Sequence, residues 1–94
     1  MIWIKYNSKL GELVAEGHSS AAPIGQDIVC AAVSTALDMI AVQLPWHRME
    51  LQQQDGFQRI RCRGRQAKRI FQRGLLLLEA IAGQYPDQIR VVRK

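Results

Sequence analysis

Residues 17–34 read GHSSAAPIGQDIVCAAVS, and the arrangement of the rest of the chain follows from them. The pattern predicts a strand that ends at His18, a loop over residues 19–25 and a helix that begins just before Cys30. This order would bring an imidazole and a thiol together near the first turns of a helix. We interpret the remaining residues as the scaffold of this pair and as a basic surface around it.

The spacing of apolar residues along the chain predicts seven elements in the order β-β-α-β-β-α-β. Strands are expected at residues 2–6, 13–18, 47–53, 57–63 and 89–92, and helices at residues 26–44 and 66–84. Asp55-Gly56 is typical of the turn of a hairpin. The order indicates an α+β fold, with both helices packed on one face of an antiparallel or mixed sheet.

The helices are predicted to face the sheet through stripes of apolar residues. In the first helix the stripe contains Val29, Val33, Ala36, Leu37, Ile40 and Leu44. In the second helix it contains Ile70, Leu77, Leu78 and Ile81. Gly25 is the expected N-cap of the first helix, and Pro45 ends it. Gly74 costs the second helix about 1 kcal/mol relative to alanine.

Length and composition favour one small folded domain that spans residues 1–94. With 48% hydrophobic and 22% charged residues, the chain does not have the composition of a disordered segment. No apolar run reaches the roughly 18–20 residues of a membrane span, and the first residues do not read as a signal peptide. We therefore expect a cytoplasmic protein without a membrane partner.

Two cysteines and two histidines are the soft ligands that the chain offers to a metal. His18, Cys30, His47 and Cys62 are widely spaced and contain no Cys-x-x-Cys pair, so we expect neither a metal site nor another cofactor. Cys62 is predicted to point into the core, and His47 to lie on the surface. Trp46 is a candidate for a dimer contact.

The block from Gly25 to Ser34, with Gly17-His18 before it, resembles the ribosomal-processing cysteine protease family (Prp). The element order and the leucine-rich second helix, which ends in Gln84-Tyr85-Pro86, extend the resemblance over nearly the whole chain. The resemblance implies a cytoplasmic bacterial endopeptidase, commonly a homodimer. It would remove a short N-terminal extension from a large-subunit ribosomal protein, or process a related phage structural protein. The catalytic pair of the family falls on His18 and Cys30.

The sequence departs from the family pattern in three places. Residues 19–25 lack the tyrosine and the acidic residues often found there, and residues 45–54 replace an acidic strand with Pro-Trp-His-Arg and three glutamines. The chain is also basic, with a net charge of +5. These differences leave the catalytic pair intact and suit a divergent or prophage-borne member with its own substrate.

Several residues around the pair have candidate roles. Asp27, Cys30 and Ser34 lie on one ridge of the predicted helix. Asp27 would orient His18 or cap the helix, and Ser34 would bond the thiol or a backbone carbonyl. The predicted loop over residues 19–25 would act as a gate over a Leu/Phe-rich peptide, or would be an ordinary variable surface loop. Its candidate substrate residues are Ser19, Ser20, Pro23 and Gly25. From spacing alone, a buried structural cysteine and a surface histidine remain the alternative.

A second hypothesis is a basic RNA- or ribosome-binding module without catalysis. From Arg59 to Arg73 there are seven basic residues and no acidic ones. Arg59, Arg61, Arg63 and Arg65 alternate, so they would share one face of a strand and contact ribosomal RNA. Phe57 is the only aromatic residue near them, which disfavours base stacking. A solvated sheet face remains the simpler alternative, and a protease could also use such a face for docking.

Overall fold

A computed structural model describes the backbone of residues 1–17 and 24–94, and the side chains of residues 1–17 and 28–94. The described elements follow the predicted order. They are β1 (Ile2–Asn7), β2 (Glu12–Gly17), α1 (Ile24–Gln43), β3 (Glu50–Gln54), β4 (Phe57–Arg61), α2 (Arg65–Gln84) and β5 (Ile89–Arg93). The predicted α+β class is confirmed.

The five strands form one mixed sheet in the order β3-β4-β2-β1-β5. β1 pairs antiparallel with β2 and parallel with β5, while β4 pairs antiparallel with both β2 and β3. Two parallel strands need a long crossover between them, and α2 provides the last part of the connection to β5. This order brings the end of β2 beside the turn between β3 and β4.

Only one face of the sheet is covered, and both helices lie on it. In β1, β2 and β4, residues that point to that face and are at most 6% exposed include Ile2, Ile4, Leu13, Ala15 and Ile60. The edge strand β3 is exposed throughout. The opposite face carries Trp3, Lys5, Glu12, Arg59 and Arg61. All six residues of the predicted stripe of α1 are buried in the core, which confirms that prediction.

The buried stripe of α2 differs from the predicted one. The fully buried residues are Ala67, Phe71, Leu75 and Leu78, whereas Leu77 is 42% exposed. Ile70 and Ile81 are half-buried against the core. Phe71 centres the stripe because its ring packs 5.4 Å from the ring of Tyr6. The prediction was therefore right for Leu78 and wrong for Leu77, and it missed the aromatic contact that orients the helix.

Several element boundaries also differ from the predicted ones. α1 begins at Ile24, so Gly25 lies inside the helix and is not its N-cap. A 3-10 turn occupies Trp46–Arg48, so β3 begins only at Glu50, and β4 ends at Arg61. His47 lies on the surface and Cys62 is 2% exposed, as predicted.

Within the described residues, no helix combines the length and the apolarity that crossing a membrane requires.

Gly74 has a packing role that its helix propensity does not reveal. A Cβ atom added there would overlap Cγ1 and Cδ1 of Ile40, a residue of α1 that is 1% exposed. The two helices can approach this closely only because residue 74 has no side chain.

We expect Gly74→Ala to lower the free energy of unfolding by about 1–3 kcal/mol, because overpacking outweighs the better propensity of alanine. Gly83→Ala is the matched control, since it lies in the same helix with no described atom within 4 Å of the added Cβ. It should leave stability unchanged or raise it by up to about 1 kcal/mol. Chemical denaturation measures both variants, and equal stabilities would contradict the proposed tight contact.

Candidate active site

Cys30 lies on α1 and is half-buried against the core. It is the seventh residue of the helix, because α1 begins at Ile24. The backbone N–H groups of the first four residues, which have no acceptor within the helix, lie about one turn before it. The sequence predicted a helix that begins at residue 26, which would place Cys30 two residues nearer its start. The positive end of the helix dipole is therefore farther from the thiol than the predicted boundary implied.

A cleft of about 180 Å³ opens beside Cys30. Its walls come from α1, from the end of β2 and from the β3–β4 hairpin. Residues from each wall include Gly17, Cys30, Ser34, Leu37, Phe57 and Gln58. Cys30 and the exposed Ser34 are one helical turn apart and line the same cleft, so these two candidate residues lie on one surface.

Backbone contacts hold the mouth of the cleft together. The N–H of Gly17 donates a hydrogen bond to the carbonyl oxygen of Gly56, over 2.9 Å. Gly56 has a φ of 74° in the predicted Asp55-Gly56 turn. Gly17 has a φ of 105°, and an added Cβ would overlap the carbonyl oxygen of Met1. Glycine is therefore required at the position that immediately precedes His18.

The sequence analysis did not predict that the β3–β4 hairpin lines the cleft; the hairpin residues there include Asp55, Phe57 and Gln58. Gln58 pairs with Ala15 across β4 and β2, which places its side chain on the helix-covered face. Its Nε2 atom is buried and has no hydrogen-bond partner among the described residues. The sequence contained one signal for this placement, because Gln58 precedes the buried Ile60 by two residues and so shares its face.

The other predicted site residues are not placed by the structure. His18, Ser19, Ser20 and Pro23 lie outside the described residues, and so does the side chain of Asp27. The contact between His18 and Cys30, both roles of Asp27 and the gate therefore stay predictions. Gly25 belongs to α1 and so cannot be part of a loop that spans residues 19–25.

The predicted arginine stripe does not form as a unit. Arg59 and Arg61 share the open face of β4, but Arg63 follows the strand and Arg65 begins α2. Arg61 donates hydrogen bonds to Glu12, and its nearest atom to Glu50 lies 3.9 Å away. The hydrogen bond and the charge of Glu12 raise the pKa of Arg61. Arg61 is thus paired with carboxylates, and the prediction that four arginines share a strand face is wrong.

The part of the chain that the structure describes gives little support for metal-dependent or disulfide chemistry. No group of three His, Cys, Asp or Glu side chains there could hold a metal ion. Neither Cys30 nor Cys62 forms a disulfide, so both are present as thiols. A half-buried thiol on a helix, facing a cleft, is suited to act as a nucleophile when a base lies within hydrogen-bond reach.

Comparison with known families identifies the class of this domain as cysteine protease. Residues 1–90 match the family model described as cysteine protease Prp, and the chain belongs to this family. A comparison with curated protein sequences found no match.

Solved structures agree in fold. The essential ribosomal processing protease Prp from S. aureus, with a covalently linked product peptide, superposes with a TM-score of 0.81 at 26% identity over 100% of both chains. The same protease with a substrate peptide gives a TM-score of 0.83 at 24% identity, again over 100% of both chains. A protein from Streptococcus mutans gives 0.73 at 20% identity, over 98% of this chain and 90% of the other.

The two thiols should differ in their reaction with iodoacetamide, because Cys30 is half-buried, whereas Cys62 is only 2% exposed although it also borders a cleft. We expect Cys30 to be alkylated first in the native protein, and Cys62 to react only on unfolding. Peptide mass spectrometry resolves the two sites, and urea-unfolded protein provides the control in which both react. Faster labelling of Cys62 would contradict the described burial.

Proposed function

We propose that this protein is an endopeptidase that removes a short N-terminal extension from a bacterial large-subunit ribosomal protein, or from a related phage structural protein. Cys30 is the nucleophile and His18 its acid–base partner. The observation that carries the proposal is the position of Cys30 in a cleft that Gly17, the neighbour of His18, also lines. The S. aureus relatives hold a product and a substrate peptide, which supports a peptide substrate here as well.

The proposed reaction proceeds through a thioester. His18 takes the proton of the Cys30 thiol, and the thiolate attacks the scissile carbonyl carbon to form a C–S bond. The imidazolium then donates its proton to the departing amine as the C–N bond breaks. Water, deprotonated by His18, attacks the thioester, which releases the carboxylic acid and restores the thiol.

Two polar residues on the ridge of Cys30 support this chemistry in the proposal. The hydroxyl of Ser34, one turn further along α1, is suited to donate a hydrogen bond to the thiolate. Asp27, in the first turn of the helix, suits the positive end of the helix dipole and serves as a cap. Orientation of His18 is the alternative role of Asp27.

The walls of the cleft favour an apolar peptide. Val33, Leu37 and Phe57 line it, and such surfaces gain free energy when they cover aliphatic or aromatic side chains. This supports an extended Leu/Phe-rich segment as the substrate. Ser19, Ser20 and Pro23, in the segment between β2 and α1, complete the proposed substrate contact.

Gln58 is our candidate for stabilising the oxyanion. Its buried Nε2 has no acceptor among the described residues, and its side chain lines the cleft beside Cys30. The last torsion of a glutamine side chain is soft, so the amide can turn toward a bound carbonyl. A donor placed there would stabilise the negative oxygen of the tetrahedral intermediate.

We further propose that the protein acts as a homodimer in the bacterial cytoplasm, near ribosomal RNA. Trp46 is 82% exposed, which suits its predicted place in a dimer contact. The purely RNA-binding alternative is weaker than the sequence indicated, because Arg61 is paired with acids and Arg63 and Arg65 leave the strand.

Cys30→Ala should abolish cleavage of a Leu/Phe-rich peptide, because it removes the nucleophile. His18→Ala should lower the rate by about 10²–10⁴-fold, the usual contribution of an acid–base group. Cys62→Ala is the control, since it removes a thiol that does not line the cleft. Mass spectrometry of the products measures all three, and full activity of Cys30→Ala would refute the proposal.

Gln58→Met should lower kcat by about 10²-fold, the loss expected for one oxyanion donor. Stability should stay equal or rise, because the variant removes a buried donor that has no partner. Gln53→Met is the matched control: Gln53 is the cross-strand neighbour of Gln58 and is exposed. Steady-state kinetics and thermal unfolding provide the two readouts. Equal kcat in both variants would contradict the role of Gln58.

A further inference from the structure

A second cleft, of about 140 Å³, lies at the start of α2. It is at the opposite end of β2 from Cys30, since it contains Gly11 while the first cleft contains Gly17. Its lining includes Tyr6, Lys9, Gly11, Arg63, Gly64 and Lys68, and none of its described lining residues is acidic. The mechanism proposed above uses none of these residues.

The start of α2 itself favours an anion. Gly64 is the N-cap, with a φ of 120°, and no described side chain caps the helix. The first turn contains no acidic residue. Lys68 N–H bonds to the carbonyl oxygen of Gly64 over 3.0 Å, so the N–H groups of residues 65–67 have no acceptor within the helix. Unpaired N–H groups and the helix dipole together attract negative charge.

Tyr6 supplies the independent observation. It lines this cleft and is only 4% exposed. Its hydroxyl is buried without a hydrogen-bond partner among the described residues. Burial raises the pKa of Tyr6, and the charge of Arg93 lowers it in part. The hydroxyl therefore stays protonated at neutral pH and is available as a donor. A buried donor without an acceptor normally costs stability, and an oxygen of a ligand bound in this cleft would supply the missing acceptor.

Three cations complete the arrangement. Lys9, Arg63 and Lys68 line the cleft, and none of them forms an ion pair within the described residues. Their charges, a tyrosine hydroxyl and backbone N–H groups together match a negatively charged group with several acceptor oxygens. Phosphate is the biological group of this description.

We propose that the cleft formed by Tyr6, Lys9, Arg63, Gly64 and Lys68 binds a phosphate group. The phosphate belongs either to an RNA backbone or to a free phosphate compound, because both present negatively charged non-bridging phosphate oxygens. The site lies away from Cys30, so it can be occupied while a peptide is cleaved. This inference does not depend on the proposed protease activity.

The test uses the full chain, with inorganic phosphate in one arm and a single-stranded RNA oligonucleotide in the other, at constant ionic strength. Thermal unfolding and the backbone amide NMR shifts of residues 65–67 are the readouts. We expect phosphate to raise the melting temperature and to shift these amides. Lys68→Gln should weaken phosphate binding about tenfold, the loss of one charged hydrogen bond. Tyr6→Phe keeps the ring and removes only the donor, and it should weaken binding as well.

Arg69→Gln is the matched control, because it removes the same charge from the adjacent residue, which does not line this cleft. RNA that competes with phosphate for the same amides identifies an RNA backbone as the source, whereas phosphate binding without RNA binding identifies a free phosphate compound. Absence of amide shifts with both ligands overturns the proposal. An equal loss of affinity in Arg69→Gln and Lys68→Gln overturns it too, since binding would then follow net charge alone.

Discussion

Burial of a single face of the five-stranded sheet constrains the rest of this structure. Both helices must lie on that face, and they must lie close together to cover it. Gly74 permits the approach, because its missing side chain leaves room for Ile40. Phe71 then reaches the ring of Tyr6 across the helix–sheet interface. The apolar area buried in this layer is the main source of stability for a domain of this size.

The same constraint positions the cleft beside Cys30. Because α1 must cover the sheet, Val29 and Val33 face the core and Cys30 lies beside them at the margin of the buried stripe. The thiol is therefore held by the packed layer, yet it opens onto a cleft. The sheet order brings the β3–β4 turn to the end of β2, where Gly17 and Gly56 are hydrogen bonded. The shape of the cleft beside Cys30 depends on long-range strand pairing as much as on the helix.

The charged side chains of the sheet also follow its division into a face that the helices cover and an open face. On the open face, two basic residues meet acidic partners: Lys5 lies 2.8 Å from Glu16, and Arg61 bonds to Glu12. Arg59, on the same face, forms no ion pair within the described residues. Exposed pairs of this kind contribute little to stability, but they neutralise the face locally. The basic residues near the start of α2 are not paired in this way within the described chain. None of the described residues that line the cleft beside Cys30 is basic.

The sequence by itself determined the element order, the stripe of α1 and the identity of the thiol candidate. These follow from local periodicity and from turn residues such as Asp55-Gly56, which depend on near neighbours only. Tertiary structure decided the parallel pairing of β5, the stripe of α2 centred on Phe71, the packing role of Gly74 and the place of Gln58 beside Cys30. Each of these depends on residues far apart in the chain, and local periodicity contains no information about which surfaces meet. The alternating arginines show the same limit of local periodicity. β4 ends at Arg61 because the chain must turn back there so that α2 can cover the sheet.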